Sequence, residues 1–280
     1  MAVKIEKAYP NDFEEVYSFL KYMNHKINKE TWRLLFTTHW GEESYVGLKL
    51  VDEGKIVGFA GMIFSNRIVN GKNVKIATRT STILKPEYRG KGHGKAMLYE
   101  LEKFADHTII TLSGIGTTVG ILKTMGHIDY ETHDRFIFPI PFVSKARLIT
   151  DISSILEFAS DEERIIIEDH RKYKCVICAI KTSQGHSIVL FNKVHKRGLP
   201  LGRIHYISDK RIFNDSICAC AFKLCSKYRI VSLFFNDRFA LTKMWGTIRV
   251  KLTNPRVFKS NVLSADEIDG LYSEAILLNL

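Results

Sequence analysis

No run of apolar residues in this 280-residue sequence approaches the ~18 residues that a membrane-spanning helix needs. The N-terminal residues 1–16 also lack the long apolar core of a secretory signal peptide. A cytoplasmic protein without a membrane span is therefore the simplest prediction. Hydrophobic residues make up 45% of the chain and charged residues 25%, a balance that is typical of globular proteins rather than disordered ones.

Cysteine is scarce, and its distribution does not suggest disulfide bonds. All five cysteines lie in the second half, and an odd, clustered set is not typical of a disulfide framework. Cys175 and Cys178 form a C-x-x-C pair that could ligate zinc, but they lie in a strand-like segment, where residues three apart point to opposite faces. We therefore predict buried, reduced thiols and no metal.

Long runs of one charge are absent as well, although the net charge is +11. A dedicated nucleic-acid arm would need a longer run of Lys and Arg, so nucleic acid is not the predicted partner. The scattered positive charge can interact with a phosphate-rich coenzyme, a nucleotide-linked substrate, RNA or a membrane surface, or it can simply be solvated.

Hydrophobic periodicity predicts an alternation of helices and strands in the first half. Helices are expected at 11–24 and 29–37, followed by three strands, of which the last ends before Pro86. A Gly-rich loop, a helix from Lys95, a short strand, a short helix ending at Gly126 and a final strand complete this half.

Two closely spaced prolines, Pro139 and Pro141, indicate a boundary that divides the chain into domains 1–141 and 142–280. The second half repeats the order of the first, with a hairpin, a strand, a helix, a strand and a short helix near Phe239–Trp245. This repetition predicts a duplicated architecture, although many α+β domains share the order.

The loop that joins the third strand to the following helix has the features of an anion-binding site. Three glycines within five residues allow unusual torsions and a close approach of the backbone to a ligand. Their N–H groups can converge on one anion, and the helix N-terminus adds the positive end of its dipole. These features suit a pyrophosphate. The basic residues and glycines of the loop are Arg89, Gly90, Lys91, Gly92, Gly94 and Lys95.

Two common phosphate loops do not fit: G-x-x-x-x-G-K-[ST] is absent, and a proline and a longer loop separate the strand from the glycines. The segment instead resembles the coenzyme A loop of the GNAT acetyltransferases, whose pattern [QR]-x-x-G-x-[GA] is matched by Arg89–Gly94. That family's loop usually follows Pro-x-Tyr-Arg, here Pro86–Arg89. The resemblance covers about residues 3–140.

The resemblance implies an α+β fold with a mixed, mostly antiparallel sheet flanked by helices. It also implies an enzyme that moves an acetyl or short acyl group from acetyl-CoA, or another acyl-CoA, to an amine. In the family the strand before the loop splays from its neighbour, so the backbone of Thr82 and Leu84 would bond the pantothenate arm. The loop residues that would hold the coenzyme phosphates are Arg89, Gly90, Lys91, Gly92, His93, Gly94 and Lys95.

The family's usual acid and base do not transfer to this sequence. Leu122 stands where a Tyr is common, Ile115 stands near the place of an Asn, and no Glu or Asp lies between Ile76 and Leu84. A base need only remove a proton, directly or through water. Other candidates are His170 and His205 in the second half, although a lone His on a strand is more often structural. A further set, which could equally be a solvated strand end, comprises Asp129, Glu131, His133 and Asp134.

The second half lacks a glycine loop, because Asp209–Asp215 occupies that place and its two terminal acids would repel a pyrophosphate. We therefore predict one coenzyme site and a degenerate second domain that shapes the acceptor site. Tandem GNAT-like halves resemble enzymes that acylate bulky substrates, such as nucleotide-linked amino sugars. The alternatives are an aminoacyl-tRNA-dependent transferase, which would not need the Arg89–Gly94 loop, and a non-catalytic acyl-CoA sensor.

Overall fold

The computed structural model describes residues 3–23, 26, 28–103, 106–112, 114–141, 145–241, 244 and 246–278. These residues form two compact units. The first unit comprises the described residues up to Tyr130 together with Asn254–Glu267 and Tyr272–Leu278. The second unit comprises those from Glu131 to Thr253 together with Ile268–Leu271. The division into functional domains 1–141 and 142–280 stays a prediction.

Strands and helices alternate along the described chain. In the first part they are β1 (Lys4–Ala8), α1 (Phe13–Tyr22), α2 (Lys29–Thr37), β2 (Gly47–Asp52), β3 (Lys55–Val69), β4 (Lys72–Leu84), α3 (His93–Glu100), β5 (Thr108–Thr111), α4 (Gly116–Thr124) and β6 (Ile128–Ile137). They continue with β7 (Arg147–Ile149), α5 (Ile152–Leu156), α6 (Asp161–His170), β8 (Cys175–Thr182), β9 (Gly185–Lys196), β10 (Leu199–Ile207), α7 (Lys210–Tyr228), β11 (Ser232–Asn236), β12 (Thr247–Lys259) and α8 (Glu274–Leu277). No helix among the described residues is both long and apolar enough to cross a membrane.

The sheet of the first unit is mixed and mostly antiparallel, as the sequence predicted. Its strand order is β1-β2-β3-β4-β5-β12, and β12 contributes Val257–Lys259. Every pair is antiparallel except β4 with β5, which run parallel. A parallel pair needs a crossover connection, and α3 provides it.

Helices cover both faces of this sheet. Phe59 of β3 packs against Trp32 and Phe36 of α2, with ring centroids 6.4 and 6.0 Å apart. The next residue, Ala60, belongs to the cluster on the opposite face, which includes Met97 of α3. The predicted fold class is therefore confirmed, and α3 lies on the face opposite α2.

The second unit has the strand order β6-β11-β10-β9-β8-β7, and β10 and β11 form its parallel pair. Its core lies under α7, where Phe213 meets Phe235 with ring centroids 5.3 Å apart. In each unit a hairpin leads to a strand, a crossover helix and a parallel neighbour. This is the repetition of architecture that the sequence suggested.

Several predicted boundaries shift in the structure. The strand expected at 135–140 is β6, which ends at Ile137. Part of the short helix expected near Phe239–Trp245 lies outside the described residues, and Asp237–Phe239 form only a 3-10 turn. Strands β1 and β12 were not predicted.

Candidate active site

The parallel pair in the first unit opens into a cleft. Strands β4 and β5 pair only over Ile76–Arg79 and Thr108–Thr111. Beyond this point β5 ends, while β4 continues to Leu84 and stays paired with β3 on its other side. The backbone groups of residues 80–84 that face away from β3 therefore border the opening.

A cavity of about 320 Å³ occupies this opening. Met23, which follows α1, and Leu98 of α3 both line it, together with the splayed part of β4. The residues around the cavity are Met23, Arg79, Thr80, Ser81, Thr82, Ile83, Arg89, Leu98, Thr111, Gly114, Ile115 and Thr118.

The glycine loop joins β4 to α3 and is open to ligand. Gly90 and Gly92 have φ values of +73° and +85°, in the left-handed region that favours glycine. A Cβ atom at either position would meet nothing within 4 Å. Gly92 is also the N-cap of α3 and offers no side-chain acceptor, so the first N–H groups of the helix are left for an anion.

Two hydrogen bonds hold the start of this loop in place. Tyr88 donates its hydroxyl to Asp52 Oδ2 at 2.6 Å, and this bond raises the pKa of Tyr88 to about 12. Arg89 Nε donates to the carbonyl oxygen of Leu84 at 3.0 Å. The Nζ atoms of Lys91 and Lys95 lie 5.9 Å from the Tyr88 ring and 5.6 Å from the Tyr99 ring. The loop is therefore anchored at its start, and its lysines are exposed.

The structure brings the predicted coenzyme-binding residues together. Thr82 and Arg89 both line the cavity, and Leu84 ends the strand between them. The other predicted residues are consecutive and lead from the loop into the first turn of α3. They are Gly90, Lys91, Gly92, His93, Gly94 and Lys95. A strand edge, an open loop and a helix N-terminus thus meet at one cleft.

A buried network of charges lies beside the cavity, and sequence reasoning missed it. Arg79 Nη2 donates to Glu102 Oε1 at 2.5 Å, His127 Nε2 to the same oxygen at 2.7 Å, and Lys259 Nζ to Glu102 Oε2 at 3.0 Å. Burial alone would raise the pKa of Glu102, but these hydrogen bonds and the charge of Arg79 lower it to about 2. Burial lowers the pKa of Arg79, and Glu102 opposes that shift.

The described side chains that line the cavity are mostly apolar or hydroxyl-bearing. In the part of the chain that the structure describes, its lining includes hydroxyl groups and two arginines, but no carboxylate and no imidazole. Leu122 is fully buried in an apolar cluster of the first unit, and Ile115 is two-thirds exposed. Among the described lining residues, no side chain therefore replaces the family's usual acid, which the sequence already lacks at Leu122.

The two predicted catalytic histidines lie elsewhere. His170 ends α6 and is fully buried, with Nδ1 donating to the carbonyl oxygen of Ile166 at 2.8 Å. His205 is buried on β10, where its carbonyl oxygen accepts from Gly270 N at 2.9 Å. Both belong to the second unit, and neither lines the cavity. Their catalytic role stays a prediction.

The acidic candidates after α4 differ from a fully solvated strand end. Asp129 forms an ion pair with Lys123 at 2.8 Å. Glu131 and Asp134 are buried, and Glu131 lies 3.6 Å from Arg238. These two carboxylates are three residues apart on β6 and so project to opposite faces of the sheet, yet both are buried, which the sequence did not show.

The place of the glycine loop in the second unit is taken by a self-capped helix. Asp209 directly precedes α7, and its Oδ1 accepts the N–H of Ile212 at 2.8 Å. Its own N–H donates to Ser187 Oγ at 3.2 Å. The carboxylate therefore occupies the position in which an anionic ligand would meet the helix.

The C-x-x-C pair lies on β8, with Cys178 in the packed core of the second unit and Cys175 partly buried. Cys178 is fully buried on β8, and burial raises its pKa to about 12; burial also raises the pKa of Cys175 to about 11. Thiols with raised pKa values are poor metal ligands. Over the described residues, no group of three or more His, Cys, Asp or Glu side chains could hold a metal ion.

Comparison with known families gives one match. Residues 6–119 match the model of the acetyltransferase (GNAT) family. The matched segment runs from β1 into α4 of the first unit and includes the cleft and the loop. The first unit therefore carries a GNAT acetyltransferase domain. The predicted family and enzyme class, an acyl-CoA N-acyltransferase, are confirmed for this domain. A comparison with curated protein sequences gave no match.

Solved structures of similar fold extend over nearly the whole chain. A GCN5-related N-acetyltransferase from Anabaena variabilis has a TM-score of 0.59 at 12% identity. The match covers 92% of this chain and 72% of the Anabaena chain. One from Kribbella flavida has a TM-score of 0.55 at 11% identity, covering 92% and 70%. The Saccharomyces cerevisiae N-myristoyltransferase with bound myristoyl-CoA has a TM-score of 0.54 at 10% identity, covering 97% and 83%. At such identities the likeness shows the fold alone.

Proposed function

We propose that the protein transfers an acetyl or other short acyl group from acyl-CoA to the amine of a small-molecule acceptor. The observation that carries this proposal is the splay of β4 from β5, which ends at an open glycine loop and an uncapped helix N-terminus. The acyl-CoA supplies an activated thioester, and the protein holds it.

The roles of the residues follow from this arrangement. The N–H groups of Gly90 to Lys95 and the exposed lysines would bind the diphosphate, and the backbone edge of β4 at Thr82 and Leu84 would hold the pantetheine arm. A backbone N–H at the opening can also polarise the thioester carbonyl. The empty space around Gly90 and Gly92 fits this use, because a side chain there would obstruct the approach of a phosphate.

The chemical step needs little from the side chains of the cavity. The amine nitrogen forms a bond to the acyl carbon, the C–S bond breaks, and the thiolate takes up a proton. Since no carboxylate or imidazole is found among the described lining residues, the amine proton would leave through water. Holding the amine and the thioester in line can supply ~7–11 kcal/mol of the barrier.

The first acceptor class to test is a nucleotide-linked amino sugar. A net charge of +11 favours an acceptor that carries phosphate. In this proposal the domain 142–280 binds the acceptor, because its helix N-terminus at Asp209 is already capped and cannot serve a second coenzyme.

A thiol-release assay tests the function. Acetyl-CoA is incubated with amines that include nucleotide-linked amino sugars, and free thiol and acceptor mass are measured. We expect amine-dependent thiol release together with a mass increase of one acyl group in the acceptor. Binding of coenzyme A without thiol release for any amine would identify a sensor. Tight binding of charged tRNA without coenzyme A would identify the aminoacyl-tRNA-dependent alternative.

A further inference from the structure

The closed end of the cleft is formed by two polar residues that are neighbours across the parallel pair. Arg79 of β4 and Thr111 of β5 are register partners and are the last pair before the strands diverge. Partners in a parallel pair project to the same face of the sheet. Arg79 is 2% exposed and Thr111 is 5% exposed, and both line the cavity.

Three polar atoms of this pair lack a protein partner. Nη2 of Arg79 donates to Glu102 and to the carbonyl oxygen of Leu98 at 3.3 Å, but Nε and Nη1 have no hydrogen bond. Oγ1 of Thr111 has none either. Buried polar groups are nearly always hydrogen-bonded, so unsatisfied donors in a cavity wall indicate an acceptor that a ligand supplies.

The charge of the surroundings indicates an anionic acceptor. Among the described residues, Glu102 is the carboxylate that pairs with Arg79, and it also accepts from Lys259 and His127. The negative charge of Glu102 is therefore shared between two positive charges, those of Arg79 and Lys259. The cluster keeps at least one net positive charge. A buried guanidinium with two free N–H directions is well suited to a carboxylate.

The position along β4 indicates which part of the ligand this is. The diphosphate would lie at the loop, which begins five residues beyond Leu84, at the opposite end of the splay from Arg79. The pantetheine would follow Leu84 and Thr82. Arg79 is three residues further, or about 10 Å at the rise of an extended strand. The group that reaches it is therefore the acyl chain.

We propose that Arg79 and Thr111 bind the carboxylate of an acidic acyl group, so that the preferred donor is a short dicarboxylic acyl-CoA of the succinyl type. This inference rests on the proposed function and specifies its acyl donor. Arg79 is thus a specificity residue, and Glu102 positions it.

Equilibrium binding without an acceptor tests the inference. Dissociation constants are measured by calorimetry for succinyl-CoA, for butyryl-CoA, which has the same number of acyl carbons and no charge, and for free coenzyme A. We expect succinyl-CoA to bind at least about tenfold more tightly than butyryl-CoA, the effect of one charge-assisted hydrogen-bonded pair. The ratio of kcat/KM values for the two donors should follow the same order.

Three variants test whether Arg79 and Thr111 cause the preference for succinyl-CoA over butyryl-CoA. Arg79→Met should abolish the preference, and Thr111→Val, which keeps the shape of the side chain, should reduce it by a few-fold. Thr78→Val is the matched control, because Thr78 is also buried on β4 with an unpartnered Oγ1 but does not line the cavity. It should leave the preference unchanged. If Arg79→Met does not fold because Glu102 loses its partner, Thr111→Val decides.

The outcomes separate the two proposals. Equal affinity of the parent protein for succinyl-CoA and butyryl-CoA overturns the inference and leaves the proposed function standing. A preference that survives both Arg79→Met and Thr111→Val also overturns it. Failure of free coenzyme A to bind overturns the proposed function and, with it, this inference.

Discussion

In each unit one helix connects the two strands of the parallel pair: α3 in the first unit and α7 in the second. These two helices begin in different ways. Helix α3 starts after Gly92, which has no side chain to accept a hydrogen bond from the first turn. Helix α7 starts after Asp209, whose carboxylate accepts the N–H of Ile212 at 2.8 Å. In the first unit the helix N-terminus is left for a ligand, and in the second unit the chain supplies its own anion.

The two helix starts differ in what they contribute: the start of α7 stabilises its own helix, and the start of α3 leaves N–H groups accessible to a ligand. An Asp N-cap stabilises a helix by about 0.5–2 kcal/mol relative to Ala, and its charge interacts favourably with the helix dipole. A glycine N-cap such as Gly92 gives up only about a few tenths of a kcal/mol relative to Asp and keeps the N–H groups accessible. In the proposed function, one architecture thus serves as a coenzyme site in one unit and as a packed domain in the other.

The largest expected effect is that of Gly92→Val. A β-branched residue cannot easily adopt φ +85°, and its methyls would occupy the open space in front of the helix. Coenzyme A affinity should fall by at least about a hundredfold, since several N–H donors are displaced together. Thermal unfolding should show a loss of only about 1–3 kcal/mol from local strain.

Gly71→Val is the matched control for that variant. Gly71 has φ +75° in the turn between β3 and β4, and a Cβ atom there also meets nothing within 4 Å. It should lose similar stability and bind coenzyme A as the parent does. Unimpaired coenzyme binding by Gly92→Val would show that this loop is not the phosphate site.

The charged network around Glu102 should make the stability of the first unit depend on pH. The pKa of Glu102 is lowered from 4.5 to about 2, so its stabilisation is complete above pH 4.5 and is lost as the pH falls toward 2. Glu102→Gln should cost about 3–5 kcal/mol near pH 7, because Arg79 is left buried without its counterion. Unfolding curves of both proteins between pH 7 and pH 3 should converge; parallel curves would contradict the assigned pKa.

The second unit should respond to Asp209→Ala in the opposite sense to the Gly92 variant. Loss of the cap should lower stability by about 0.5–2 kcal/mol, while coenzyme affinity stays unchanged. Calorimetry of the parent protein should give one coenzyme A per chain. Two equivalent sites would mean that the capped helix also binds a diphosphate, and the contrast between the units would fail.

The smallest effect is that of salt. Arg89, Lys91 and Lys95 are exposed, so their attraction for the phosphates is screened over ~10 Å at 0.1 M ionic strength. Coenzyme affinity should therefore weaken modestly between low and moderate salt. Nucleic-acid binding, measured in parallel, would show a much steeper slope if it occurred.

The glycine loop between β4 and α3 could be predicted from the sequence because its signals are local. A strand, a proline, glycines and a helix follow one another from Thr80 to Leu98, and each is encoded by its own residue types. The helices at 11–24 and 29–37 agree with α1 and α2 within two residues for the same reason.

The closed end of the cleft could not be predicted in this way. Arg79 looks like a solvated residue in a Thr-rich strand, and its burial follows from the register of β4 with β5 and from the approach of Glu102. Strand β12 alternates apolar and polar residues from Ile248, but Pro255 interrupts the pattern, and proline is unusual in central strands.

The return of the chain to the first unit has a consequence for protein synthesis. Val257–Lys259 pair with β5, and Tyr272 packs on Trp40 with ring centroids 5.1 Å apart. Nascent chains generally fold domain by domain from the N-terminus. Here the ribosome must first translate the second unit as far as Thr253 before the sheet of the first unit receives its last strand. A stop codon shortly before Asn254 would therefore impair the unit that was translated first.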